Sequence, residues 1–211
     1  MSDAAAILAS STLLIDEYLP RFDTTRREHL VVRGEPSAVL EEVRNLDLLS
    51  LHSPLLDTVM WVRTLPEKMG RKEPADVPSM RLGDLFDEAA EPTADQPWVG
   101  LGERKGRELV IGVVGKFWQP SISWNTVPAD RFVSFDEPGW GKIAASISVV
   151  PYGTGRTLVT YEARTRTTDQ RSRRRFGIYW RVVSPFVGVV MRSLLTAVSR
   201  RMEELERSSS S

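Results

Sequence analysis

The chain has no cysteine, which excludes disulfides, thiolate nucleophiles and cysteine-held metals. Histidine is nearly missing as well. His29 and His52 are the only two in 211 residues, so a metal site of several imidazoles is excluded, and each reads as a surface or satisfied core histidine. Net charge is also lacking, with 28 Lys plus Arg against 28 Asp plus Glu. No average field then draws the chain toward a polyanion, and no nucleic-acid partner is expected. Long apolar runs are missing too. The most apolar segment, 182–191, is ten residues between Arg181 and Arg192 and contains Ser184 and Pro185, well short of the roughly 20 that span a bilayer. No transmembrane segment is expected. The start carries Asp16 and Glu17 and no basic stretch ahead of its apolar residues, a poor signal peptide, so the cytoplasm is the expected location. There is no Gly-x-Ser-x-Gly elbow and no phosphate-binding loop. Gly100, Gly102 and Gly106 form only G-x-G-x-x-x-G, with a strand after them where a dinucleotide fold requires a helix. These gaps leave no catalytic residue, metal or cofactor to assign.

What is present is a change of period along the chain. The length suits one domain with a real core. Residues 3–19 suggest one or two short helices halted by Pro20, and residues 27–32 read as a first strand. Pro36 and Ser37 open a helix whose apolar side is Val39, Leu40, Val43 and Leu46. A second helical segment is expected over 54–69. Residues 70–96 hold seven acidic residues and three prolines, an acidic surface excursion with one short helix near 82–89. From Trp98 onward the period becomes two. Strands are expected over 98–102, 108–114, 131–135, 142–151 and 156–167, an antiparallel meander whose most secure hairpin crosses Gly153 and Gly155. Asp169 then caps one long helix running to about residue 206, where Phe176, Trp180, Val183, Val187, Met191, Leu194, Val198 and Met202 recur at steps of three and four.

The order of strand, two helices, a run of strands and one long helix is similar to the helix-grip fold of the START-like (SRPBCC) superfamily, which includes Bet v 1-like proteins and polyketide cyclases. The chain looks most like the uncharacterised bacterial branch. The residues carrying the resemblance include Leu19-Pro20, Gly115-Lys116-Phe117-Trp118, the segment 135–142, Thr160-Tyr161-Glu162-Ala163-Arg164, and Arg175-Phe176-Gly177-Ile178-Tyr179-Trp180. The resemblance implies an α+β helix-grip fold, a curved antiparallel β-sheet wrapped around a long C-terminal α-helix. It divides the chain into an N-terminal helical extension (1–25), the START-like domain (26–207, with 70–96 as an acidic insertion) and a disordered tail (208–211). It also implies a cavity between sheet and helix that takes a hydrophobic, amphipathic or aromatic small molecule, such as a lipid.

Within that frame the candidate ligand-binding residues are Trp118, Trp140, Tyr161, Glu162, Arg164, Tyr179 and Trp180. Glu162 and Arg164 share one strand face. On the concave side they would orient a polar head group; on the convex side they would be a surface pair worth less than about 1 kcal/mol. Tyr161 belongs to the opposite set, so only one set lines the cavity. Trp118, Trp124 and Trp140 suit a cavity wall, because indole pairs a large apolar area with one N–H donor; plain core packing accounts for each one alone. A cyclase-like enzyme using Glu162, Arg164 or Tyr161 is the alternative. Arg171, Arg173, Arg174 and Arg175 crowd the start of the long helix, against its dipole, and are expected to pair with the chain's own carboxylates. Ile178, Val182, Phe186 and Val189 form a second apolar stripe that one sheet cannot also cover. The N-terminal segment around 8–19 is expected to pack there; otherwise the stripe serves a homodimer, a membrane surface or a partner protein. Pro185, opposite the core stripe, is expected to bend the helix toward the sheet as a lid.

Overall fold

The computed structural model describes residues 12–46, 81–87, 90–119 and 121–209. The expected helix at 54–69 lies outside the described residues. The chain order is α1 (Ile15–Tyr18), β1 (Thr24–Arg33), α2 (Pro36–Asn45), a 3₁₀ turn (Leu82–Phe86), β2 (Val99–Arg104), β3 (Glu108–Gly115), β4 (Trp124–Asn125), α3 (Ala129–Phe132), β5 (Gly141–Pro151), β6 (Arg156–Thr167) and α4 (Gln170–Ser209). The strands form one open antiparallel sheet in the order β1-β6-β5-β3-β2, with β4 pairing the end of β3. A long C-terminal helix packs against it. This is the expected α+β architecture.

The β5–β6 hairpin closes where it should. Gly153 and Gly155 have φ of +73° and +62°, a conformation that costs glycine nothing, and the Tyr152 amide donates to the Arg156 carbonyl at 2.8 Å. One expected strand is a helix instead. Residues 129–132 form α3, with Pro128 at its N-cap and, in its first turn, Asp130, an acidic residue that favours a helix start. The Lys142 ammonium, itself buried, donates to the carbonyls of Phe132 and Val133 at 3.0 Å each and so closes the other end. The apolar residues of 131–135 fit either period, and this distant lysine decides between them.

Both sheet faces are covered, by different elements. On one face Val159, Ile147, Val149, Leu109 and Val32 pack against α2 and against Leu194, Leu195, Val198 and Met202 of α4. On the other, Val110, Val114 and Ala144 pack against Leu14, Ile15 and Leu19 around α1 and against Phe132 of α3. The described part of the N-terminal segment, residues 12–19, therefore covers the outer face of the sheet and not the second stripe of α4. Glu108 explains the choice: its buried carboxylate accepts from the Leu14 and Ile15 amides at 2.6 and 3.2 Å. Those amides open a helix and have no partner within it.

α4 runs unbroken through Pro185, which lies on its exposed side. With 40 residues it is about 60 Å long. It crosses β1 closely at Gly188, where a Cβ would stand 2.4 Å from the Arg26 guanidinium. By length and composition it is long and apolar enough to cross a membrane, yet its C-terminal half carries core residues of a soluble-type α+β domain.

Candidate functional site

The helix-facing side of the sheet has two packed regions. One region is the α2 and α4 core just described. The other gathers Val113 and Phe117 around Phe176 at the start of α4. Phe176 stacks on Trp180 at 5.7 Å between ring centroids and meets Tyr179 and Trp118 at 6.0 and 6.4 Å, separations at which aromatic pairs attract. Trp118, expected from sequence as a separate wall residue, thus joins the helix-start group of Phe176, Tyr179 and Trp180 in one cluster. At their borders Tyr161 and Ala163 pack against the first region and Ile143 against the second, all three half-buried, as are Val183 and Val187 on α4.

Tyr161 is the polar group among these residues. Burial pushes its phenol pKa above the ordinary value, yet the side chain keeps accessible surface. Its hydroxyl has no hydrogen-bond partner among the described residues.

Glu162 and Arg164 lie on the other face. Glu162 accepts from Arg27 at 2.8 and 3.0 Å and from Arg164 at 2.8 Å. Arg164 continues to the Asp16 carboxylate at 2.7 Å and the Leu19 carbonyl at 3.2 Å, with Phe22 stacked 4.8 Å from its guanidinium. Burial alone would raise the Glu162 pKa, but the hydrogen bonds from Arg27 and Arg164 outweigh it and hold the carboxyl below its usual range. The pair is neither in a cavity with Tyr161 nor at the surface. It is buried beneath the N-terminal segment and ties that segment to the sheet. Trp140 also stands apart from the aromatic cluster, on the border of the outer-face core with the Lys116 ammonium 4.4 Å from its ring centroid.

The charged group that does face α4 was not evident from sequence. The buried Glu28 carboxylate accepts from Arg26 at 2.6 and 2.9 Å and from Arg192 of α4 at 2.5 Å. Burial raises its pKa, and the two guanidiniums more than reverse this, so it stays ionised. Glu28 is directly opposite Tyr161 in the β1–β6 register, and Arg26 is opposite Ala163. The available signal was alternation: Arg26, Glu28, Leu30 and Val32 occupy one face of β1, and the last two are apolar and inward.

His29 is exposed and its Nδ1 lies 2.9 Å from the Thr160 hydroxyl; His52 lies outside the described residues. No group of three or more potential metal ligands occurs among the described residues. Three clefts lined by described residues lie elsewhere. About 580 Å³ opens between β1 and the end of α4 near Arg33, Arg156 and Glu203, and about 300 Å³ lies at the start of α4 between Lys116, Trp118, Arg171 and Arg175. A third, of about 240 Å³, separates the 3₁₀ turn from β2.

No protein-family model matches the chain, and no curated protein does. Several solved structures are similar. A structural-genomics protein from Nitrosospira multiformis is 11% identical with a TM-score of 0.38, covering 87% of this chain and 99% of its own. A hypothetical protein from Helicobacter pylori is 10% identical with a TM-score of 0.43, covering 89% and 93%. A conserved protein from Geobacillus kaustophilus gives 10%, 0.38, 86% and 96%. Likeness at this level carries no argument about function, and the START-like resemblance rests on the short motifs.

Proposed function

We propose that the protein binds a hydrophobic or amphipathic small molecule, lipid-like or aromatic, between the sheet and α4. Its apolar part would lie against Ile143, Ala163, Val183 and Val187, and its polar end would meet the Tyr161 hydroxyl beside Arg26. The observation that carries this reading is Tyr161, half-buried between two packed regions and without a hydrogen-bond partner among the described residues. Ligand sites typically combine an apolar lining with a few placed polar groups. Glu162 and Arg164 support no chemistry on such a ligand, because they face away from it and satisfy each other.

Native mass spectrometry of the purified chain tests the reading, together with a fluorescence titration using anilinonaphthalene sulfonate and energy transfer from tryptophan. A retained small molecule and saturable probe binding are expected in the wild type. Ala163→Leu, which adds bulk at this position without removing a polar group, should abolish both while leaving the thermal transition in place. Probe binding unchanged in Ala163→Leu would overturn the site.

A further inference from the structure

The exposed side of the first half of α4 has an unusual composition. Ile178 and Val182 are 68% and 66% exposed and Phe186 is 38% exposed. Spaced by four residues, they form a stripe about 12 Å long. Monomeric proteins seldom leave such neighbours uncovered together without a use for them. The charge around the stripe is of one sign. Residues 170–202 contain eight arginines and no Asp, Glu or Lys. Three of the eight are paired: Arg173 with Asp23, Arg192 with Glu28 and Arg201 with Glu42 and Glu204. Arg171, Arg174, Arg175 and Arg181 form no ion pair, so the expected pairing with the chain's own carboxylates is absent for these four among the described residues. At 100° per residue they fall within about a quarter turn of the stripe. Arg171 and Arg175 also line the 300 Å³ cleft with Lys116 and Trp118.

We propose that this face docks on an anionic lipid bilayer. A partner must offer negative charge and apolar volume side by side along one helix face, and an anionic bilayer offers both at a fixed depth. Ile178, Val182 and Phe186 enter the boundary between head groups and acyl chains. The four free guanidiniums engage lipid phosphates, each adding to binding while it stays within a Debye length of the surface. The stripe's rim of Arg171, Arg174, Arg175 and Arg181 lacks the mixed charge that registers one protein on another. A neutral overall charge does not oppose this, because the arginines are segregated on one helix.

The full chain is to be sedimented with vesicles of phosphatidylcholine alone and of phosphatidylcholine with phosphatidylglycerol at about seven to three. Binding to the anionic vesicles is expected to exceed binding to the neutral ones by roughly tenfold and to fall steeply as salt rises. Ile178→Ser with Val182→Ser should lower anionic binding by roughly tenfold. Arg174→Gln with Arg175→Gln should lower it and flatten the salt dependence. All four side chains are exposed, so an unchanged circular dichroism spectrum and melting temperature are expected. Ala163→Leu should bind vesicles as the wild type does, which separates this surface from the proposed ligand site. No binding to anionic vesicles at low salt, or binding unchanged in both double variants, overturns the proposal. So does a wild-type dimer in analytical ultracentrifugation that the Ile178→Ser, Val182→Ser variant dissolves, since a second copy would then own the stripe.

Discussion

Asp169 performs several tasks with one carboxylate. It accepts from the Arg171 and Ser172 amides at 2.8 and 2.9 Å, from the Ser172 hydroxyl at 2.7 Å and from the Gly139 amide at 2.6 Å. It therefore caps α4 and pins the loop before β5 to it. The Ser172 hydroxyl and amide, followed by the Gly139 and Arg171 amides, lower its pKa from 3.8 to about 2. Because the folded value lies below the unfolded one, this stabilisation is complete above about pH 4 and is lost as pH falls through about 2. Asp169→Ala should cost about 1–2 kcal/mol, read as a lower melting temperature at pH 7, with the gap from wild type closing toward pH 2. The two glycines of α4 make a second residue-level contrast. A Cβ at Gly177 meets nothing within 4 Å, whereas one at Gly188 meets the Arg26 guanidinium. Gly177→Ala should stabilise by up to about 1 kcal/mol through helix propensity. Gly188→Ala should gain less or lose, since Arg26 would have to move off Glu28; chemical denaturation of both variants measures the difference.

At the scale of elements, α1 shows how a four-residue helix too short to persist alone becomes a fixed part of the structure. Ile15 is fully buried and Leu19 nearly so, the Glu108 carboxylate holds its first amides, and Asp16 meets Arg164. Ile15→Ala should cost about 2–5 kcal/mol, a loss to be read from urea unfolding. A loss below about 1 kcal/mol would mean that the segment does not hold the outer face. α4 behaves as two elements in one. Its second half carries core residues and the Arg192–Glu28 pair, and its first half meets the sheet through Phe176 and, at Gly188, the Arg26 side chain of β1.

For the whole molecule, the open sheet covered on both faces predicts a gradient of stability. β5 and β6 are paired on both edges, while β1 and β2 end the sheet. Amide exchange should therefore be slowest in β5, β6 and the C-terminal half of α4, and faster in β2 and around residues 177–187, where few buried contacts resist local opening. Uniform protection along α4, measured by mass spectrometry, would contradict its division into two halves.

The sequence by itself determined the elements whose cause is local. The turn at Gly153 and Gly155, the Asp169 cap, the alternation in β3, β5 and β6, and the spacing of Met191, Leu194, Val198 and Met202 each depend on residues within a few positions of one another. The Phe176, Tyr179 and Trp180 side of the aromatic cluster was legible for the same reason. Only the tertiary structure decided which element covers which face. Period-two alternation states that Glu162 and Arg164 share a side and that Tyr161 takes the other, but it does not say which side meets α4. That choice followed from contacts distant in sequence: Glu108 with the Leu14 and Ile15 amides, Arg164 with Asp16, and Glu28 with Arg192. Long-range pairing of buried charge has no periodic signature, so α1 under the outer face, α3 in place of a strand, and the bare stripe of α4 appear only once the chain is folded.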